Sequence, residues 1–164
     1  VPLLTLSIGS NIDPANNVRR VVAALREHFG QIELSSVYES EAVGFEGDNF
    51  LNLVLATHSE EALQDIKSYL KELEDRLGRD RSAPKFSGRV IDLDILFYGD
   101  CDGAEADLEL PREEITRNAF VLQPLAELLP DELHGPTGLS YARLWQDYDK
   151  SRQSLWPVDF DWTP

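Results

Sequence analysis

Asp92 and Asp94 interrupt an otherwise apolar run, Arg89-Val-Ile-Asp-Leu-Asp-Ile-Leu-Phe97, at the period of a β-strand. Both carboxylates therefore point to one face. Set against a core they would repel each other and lose solvation, and a bound divalent cation would relieve both costs. An oxygen-only donor set favours Mg2+ over zinc. The same alternation also describes a half-buried strand whose two acids are solvated or paired with Arg89, so neighbouring residues must decide.

Those neighbours are basic. Arg76, Arg79, Arg81, Lys85 and Arg89 fall within fourteen positions that hold one acid, Asp80, inside an acidic chain. Just ahead of a metal-binding strand, such a segment suits a polyphosphate whose charge the metal also neutralises. A solvated loop is the alternative. Neither a Walker A sequence nor a Gly-x-Gly-x-x-Gly fingerprint is present, so arginines and metal would have to stand in for a P-loop or Rossmann site. Phe50, Asn52 and Phe120 supply two flat rings and an amide, which would suit a planar heterocycle if the fold brings them together.

The elements that must position these groups are readable. Leu3 to Ile8 alternates as a strand, and Asp13-Pro14 opens a helix carrying Val18, Val21, Val22, Leu25 and Phe29 and ending at Gly30. Ile32 to Tyr38 and Phe50 to Thr57 read as strands around a polar loop, Glu39 to Asn49. Ser59 is expected to cap a second helix with the stripe Leu63, Ile66, Leu70, Leu73 and Leu77, and the carboxylate strand follows. The order βαββαβ is that of an α/β (α+β), ferredoxin-like core: a four-stranded antiparallel sheet with two helices on one face and the other face free for a ligand. Beyond it, Glu113 to Leu128 is expected to be helical with an interruption at Pro124, and Leu139 to Tyr148 to form a short C-terminal helix. Trp145, Trp156 and Trp162 are expected to cover apolar surface.

A length of 164 residues suits one domain spanning 1–164, with residues 151–164 as an extension of unassigned role. The net charge of −15 argues against a nucleic-acid partner, because the phosphate backbone calls for a broad cationic surface. Cys101 is the only cysteine, which fits a reducing compartment and the cytoplasm. No run reaches membrane-spanning length, and the start lacks the features of a secretory signal. His28, His58 and His134 show no metal-ligand spacing.

Taken in order, Ser7-Ile-Gly-Ser-Asn11, Val37-Tyr38, Phe50-Leu-Asn52, Leu77-Gly-Arg79, the Asp92/Asp94 strand and Phe120-Val-Leu-Gln-Pro-Leu-Ala-Glu127 form a pattern. From Leu3 to about Trp145 the chain resembles the 6-hydroxymethyl-7,8-dihydropterin pyrophosphokinases of folate biosynthesis. That resemblance implies transfer of a pyrophosphoryl group from ATP, the co-substrate, to the hydroxymethyl oxygen of the pterin, with release of AMP. It implies two Mg2+ ions on Asp92 and Asp94, and a catalytic set of Arg79, Arg81, Arg89, Asp92 and Asp94. It further implies a pterin pocket of Ser40, Val43, Gly44, Phe50, Asn52, Phe86 and Phe120. The nucleotide would meet Glu74, Arg81, Lys85, Arg89, Ile95, Arg112 and Arg117. Small-molecule substrates, a monomer and a cytoplasmic setting complete the expectation.

Four departures bear on activity. Arg112 stands where the family commonly has histidine and Asn118 where it has arginine, both near ATP; Ser87 and Glu41-Ala42 replace common prolines. Arg112 can still donate to a phosphate, whereas Asn118 brings no charge. Two other readings therefore stay open: a non-catalytic or altered relative that binds pterin or nucleotide as a regulatory subunit, and a ferredoxin-like interaction domain.

Overall fold

The computed structural model describes residues 1–78 and 90–163. Strand β1 (Leu3–Ser10) leads into helix α1 (Pro14–Phe29), then β2 (Glu33–Leu34), β3 (Val37–Ser40), β4 (Phe50–His58), α2 (Leu63–Arg76) and β5 (Asp92–Tyr98). The sheet order is β5-β1-β4-β3, with β2 also paired to β4, and the ladders are antiparallel. This is the expected ferredoxin-like arrangement.

Both helices bury one stripe each. Val18, Val21, Val22 and Leu25 of α1 and Leu63, Ile66, Leu70 and Leu73 of α2 pack on Leu4, Leu6, Ile8, Leu53, Leu55, Leu93 and Ile95 of the sheet. Each fully buried leucine of that layer stabilises the fold by roughly 1.5–3 kcal/mol relative to exposure. The α2 stripe matches the sequence, but its start does not: the Ser59 hydroxyl accepts the Glu61 N–H at 3.1 Å in a turn, and Ala62 occupies the N-cap position. A side-chain turn two residues on competes with capping for a serine hydroxyl.

The expected single strand over residues 32–38 is split into β2 and β3. Ser35 causes the break, because its Oγ accepts the Val54 N–H at 2.9 Å, a donor that a strand backbone would otherwise take. A second irregularity lies in β5. Thr5 pairs with Phe97 while its neighbour Leu6 pairs with Ile95, which leaves Leu96 as an extra, bulged residue. Before the bulge Leu93 and Ile95 face α1 and α2, and after it Tyr98 does; Leu96 and Phe97 both join the opposite layer.

That opposite face, expected to be free, is covered over part of its length. Helices α3 (Glu114–Arg117), α4 (Ala119–Leu128) and α5 (Tyr141–Asp147) bring Ile115, Val121, Leu122, Leu125 and Tyr141 against Val54, Leu96 and Phe97. The interruption falls at Asn118, in extended backbone between α3 and α4, and Pro124 is accommodated inside α4. A small hairpin, β6 (Leu133–His134) with β7 (Leu139–Ser140), precedes α5.

The stretch after Lys150 adds a further strand. β8 (Leu155–Val158) pairs antiparallel with β3, placing Leu155 opposite Ser40. Trp145 packs on the second apolar layer, whereas Trp156 and Trp162 keep 38% and 40% exposure, so the expected covering role fits the first better than the other two. Among the described residues no helix is long and apolar enough to cross a membrane.

Candidate active site

Gly9 pairs with Asn52 on β4 and with Asp92 on β5, and two residues back Ser7 pairs with Val54 and Asp94. Directly paired residues share a face, so Asn52, Asp92 and Asp94 line the same side of the sheet, beyond the end of the apolar layer under α4. Gly9 keeps the floor between them low. A Cβ there would lie 3.5 Å from the Asn52 Oδ1 and 3.9 Å from the Phe50 ring, in the space between the amide and the ring.

Asn52 is 3% exposed and its Nδ2 donates to the buried Ser40 Oγ at 2.8 Å, which fixes which way the amide points. Ser40 ends β3, and the loop over residues 41–49 that follows carries Val43, 45% exposed, and Gly44, whose φ of 86° favours glycine. This loop is tied back by the Asn11 Nδ2, which donates to the Asp48 carbonyl at 3.2 Å. The Phe45 ring meets the Phe50 ring edge to face at 6.3 Å between centroids. Phe120, the second residue of α4, is half-buried against the second apolar layer.

Asp94 lies in low-dielectric surroundings beside Asp92. Burial first, and then the Asp92 charge, push its carboxyl up from 3.8 to about 7, with Arg112 opposing. Its side chain retains 32% exposure, so water reaches the carboxylate and moderates that rise. Arg112 approaches it at 3.5 Å, reaches Glu114 at 3.7 Å, and donates from Nε to the Ile95 carbonyl at 3.2 Å. The same free edge of β5 is held by Glu74, 6% exposed, whose carboxylate accepts the Leu93 N–H at 2.8 Å. Two carboxylates brought together on one sheet face are a fit for a divalent cation, and Mg2+ is commonly held by one or two carboxylates with substrate phosphates and water supplying the rest. Among the described residues no group of three or more His, Cys, Asp or Glu that could hold a metal ion forms.

Beside the carboxylates, between α2 and β5, lies a cavity of about 260 Å³ lined by Lys67, Lys71, Glu74, Ile95, Leu108 and Arg112 among others. It joins apolar walls to three cations and one acid, the chemistry of a nucleoside polyphosphate site.

Of the residues singled out in the sequence, Asp92, Asp94, Asn52, Phe50 and Ser40 thus share one sheet face, and Glu74, Ile95 and Arg112 share the adjoining cavity. Arg117 stands apart. Its guanidinium is 64% exposed and pairs with Glu113 one turn back. Arg79, Arg81, Lys85, Phe86 and Arg89 lie outside the described residues. Sequence reasoning missed Phe45, Lys67 and Lys71. The lysines are three and seven positions before Glu74, on the same helix face, and Phe45 sits between two glycines; both were available signals. Gly47 is close enough to the Phe45 ring that a Cβ there would come within 2.6 Å of it.

A family model described as 7,8-dihydro-6-hydroxymethylpterin-pyrophosphokinase (HPPK) matches residues 5–130. The chain belongs to the HPPK family. It is 34% identical over 131 residues to the 2-amino-4-hydroxy-6-hydroxymethyldihydropteridine pyrophosphokinase of Aquifex aeolicus, covering 79% of this chain and 81% of that one. The protein of the same description from Synechocystis sp. is 31% identical over 156 residues, covering 93% and 78%. A folate synthesis bifunctional protein of Chlamydia caviae is 33% identical over 146 residues, and the match spans 84% of this chain and 33% of that longer protein. Among solved structures, a Plasmodium falciparum HPPK-DHPS triple mutant with pterin and p-hydrobenzoate superimposes with a TM-score of 0.71 at 14% identity, over 92% of this chain and 43% of that chain. At that identity the likeness speaks for the HPPK fold. The HPPK match ends at residue 130, so β8 and the rest of the tail lie beyond it.

Proposed function

We propose that this protein carries out the pyrophosphokinase reaction of its family, moving a pyrophosphoryl group from ATP to the hydroxymethyl oxygen of 6-hydroxymethyl-7,8-dihydropterin and releasing AMP. The observation that carries this is the placement of Asp92, Asp94, Asn52 and Phe50 around the Gly9 floor, beside a cavity bearing Lys67, Lys71, Glu74 and Arg112.

Asn52 reads a hydrogen-bonding edge of the pterin, because Ser40 already fixes its amide. Phe50 stacks on one face of the ring and Phe120 on the other, with Val43, Gly44 and Phe86 closing the pocket. Arg112 turns from Asp94 toward a phosphate when the nucleotide enters, and Glu74 orients the cavity wall by holding β5. Arg79, Arg81, Lys85 and Arg89 add cations along the triphosphate, and Arg117 serves at its margin. Asp92 and Asp94 would hold two Mg2+ ions. When bound, the metal neutralises the triphosphate and stabilises charge gathering around the β-phosphorus. The oxygen–phosphorus bond forms in line with the bond to the α-phosphate oxygen that breaks, and no covalent enzyme intermediate is involved. Closing the pocket excludes water, which would otherwise compete with the pterin hydroxyl.

The acidic chain and its single cysteine support a cytoplasmic enzyme of small molecules, acting as one unit and as a monomer without nucleic acid or membrane. Incubation with ATP, Mg2+ and the hydroxymethyl dihydropterin gives AMP and pterin pyrophosphate. Asp92→Ala abolishes that turnover and leaves the circular dichroism spectrum unchanged; retained turnover would remove the metal role. One observation favours a second reading, a pterin- or nucleotide-binding relative without turnover. The Asn118 amide accepts from the Gln153 Nε2, so the position that holds arginine elsewhere in the family faces the tail here. Binding of both ligands without AMP would establish it.

A further inference from the structure

The tail meets both walls of the pocket within three residues. The Gln153 side chain bridges two consecutive residues at the head of α4: its Oε1 accepts the Ala119 N–H at 2.8 Å, and its Nε2 donates to the Asn118 Oδ1 at 3.0 Å. Two residues later Leu155 pairs with Ser40, the residue that orients Asn52.

A helix start leaves its first N–H groups without partners, and Ala119 is fully buried, so its donor needs an acceptor that water does not supply. An N-cap side chain normally serves the second or third of those donors, and the first, here the Ala119 N–H, must find its acceptor elsewhere. Asn118 occupies the N-cap position and makes no such bond to its own helix. The Gln153 amide supplies that acceptor from 34 positions away. Phe120 is the next residue along, so whatever fixes Asn118 and Ala119 also sets the angle at which that ring enters the pocket.

We propose that Gln153 is a positioning residue for the pterin-binding wall, and that the tail clamps the head of α4 against the end of β3. This rests on the pterin reading of the pocket. Losing the clamp frees the first turn of α4, so the Phe120 ring samples orientations that do not stack. Pterin affinity falls, while the nucleotide cavity, built from α2 and β5, is left as it was.

The experiment measures the fluorescence of 6-hydroxymethylpterin and the binding of a nonhydrolysable ATP analogue with Mg2+, alongside AMP release, on the full chain. Gln153→Ala weakens pterin binding and raises the pterin KM about tenfold, the scale of one buried donor left unmatched. The ATP KM and analogue affinity stay within about twofold. Gln153→Glu restores pterin affinity, because a carboxylate still accepts from Ala119 and the Asn118 amide can rotate to donate to it. Adding Asn118→Asp to Gln153→Glu removes that donor, sets two carboxylates together and abolishes the rescue. Equal pterin affinity in Gln153→Ala and wild type overturns the proposal, as does a parallel loss of nucleotide affinity, which marks a merely structural role. A wild type that binds pterin but releases no AMP strikes the pyrophosphokinase reading alone. A wild type without pterin affinity removes both.

Discussion

Asp92 and Asp94 stand close enough that the charge of one raises the other, and Arg112 offsets only part of it. In the metal-free protein the folded state holds the Asp94 carboxyl at about 7 against an ordinary 3.8. Between those values the folded chain binds more protons than the unfolded one, so stability falls as pH rises through that window and is lowest above it. Asp94→Asn removes the cost. The metal-free variant therefore melts above wild type at pH 8 and together with it near pH 4, measured by thermal denaturation in chelator. Parallel curves at both pH values would refute the assignment. The carboxylate pair was legible because alternation in an apolar run is a strong signal. That Arg112 would lie 3.5 Å from Asp94 was not, since the cis-proline segment that delivers it is fixed by tertiary contacts.

At the scale of elements, the stripes of α1 and α2 and the strands β1, β4 and β5 follow directly from periodicity, because each buries one face against the other. What escaped was side chain–backbone competition. Ser35 splits a strand by taking the Val54 N–H, and nothing in residues 32–38 distinguishes it from a serine on a solvent face. The join between α4 and the sheet is of the same kind. Glu127 accepts from the Ser36 N–H and Oγ at 3.0 Å and from the Tyr38 hydroxyl at 2.6 Å, and burial, with that bond, raises the tyrosine well above its ordinary value. Glu127→Ala leaves the 5%-exposed Tyr38 hydroxyl without its acceptor and lowers unfolding free energy by about 1–3 kcal/mol in urea titration, with the slope unchanged. A loss below about 0.5 kcal/mol would show that the staple is replaced by solvent.

For the molecule as a whole, 30 acidic residues against 15 basic ones set up a field that repels anions, so an anionic nucleotide has to be drawn in by local cationic groups. Nucleotide with Mg2+ at a hundred times its dissociation constant stabilises the fold by about 2.7 kcal/mol, which for a chain of this size raises Tm by roughly 5–10 °C. Chelator should erase that rise; a shift that survives chelation would mean the nucleotide binds without the carboxylates. The tail was the least legible part of the architecture. Residues 155–158 contain a proline and a tryptophan with no alternation to follow, and their strand exists because β3 offers an unpaired edge.

The bulge at Leu96 makes β5 read in two frames. Upstream of it the even-numbered residues share the face of Asn52; downstream that phase is reversed, and the chain is sealed by apolar groups on both sides. Deleting Leu96 would leave Ile95 followed by Phe97 in plain alternation, so both stretches keep their faces and only the leucine's own place in the second layer is lost. Losing a residue between Asp92 and Ile95 instead has no such escape: either the aspartates turn into the greasy layer beneath α2, or Tyr98 is expelled from it.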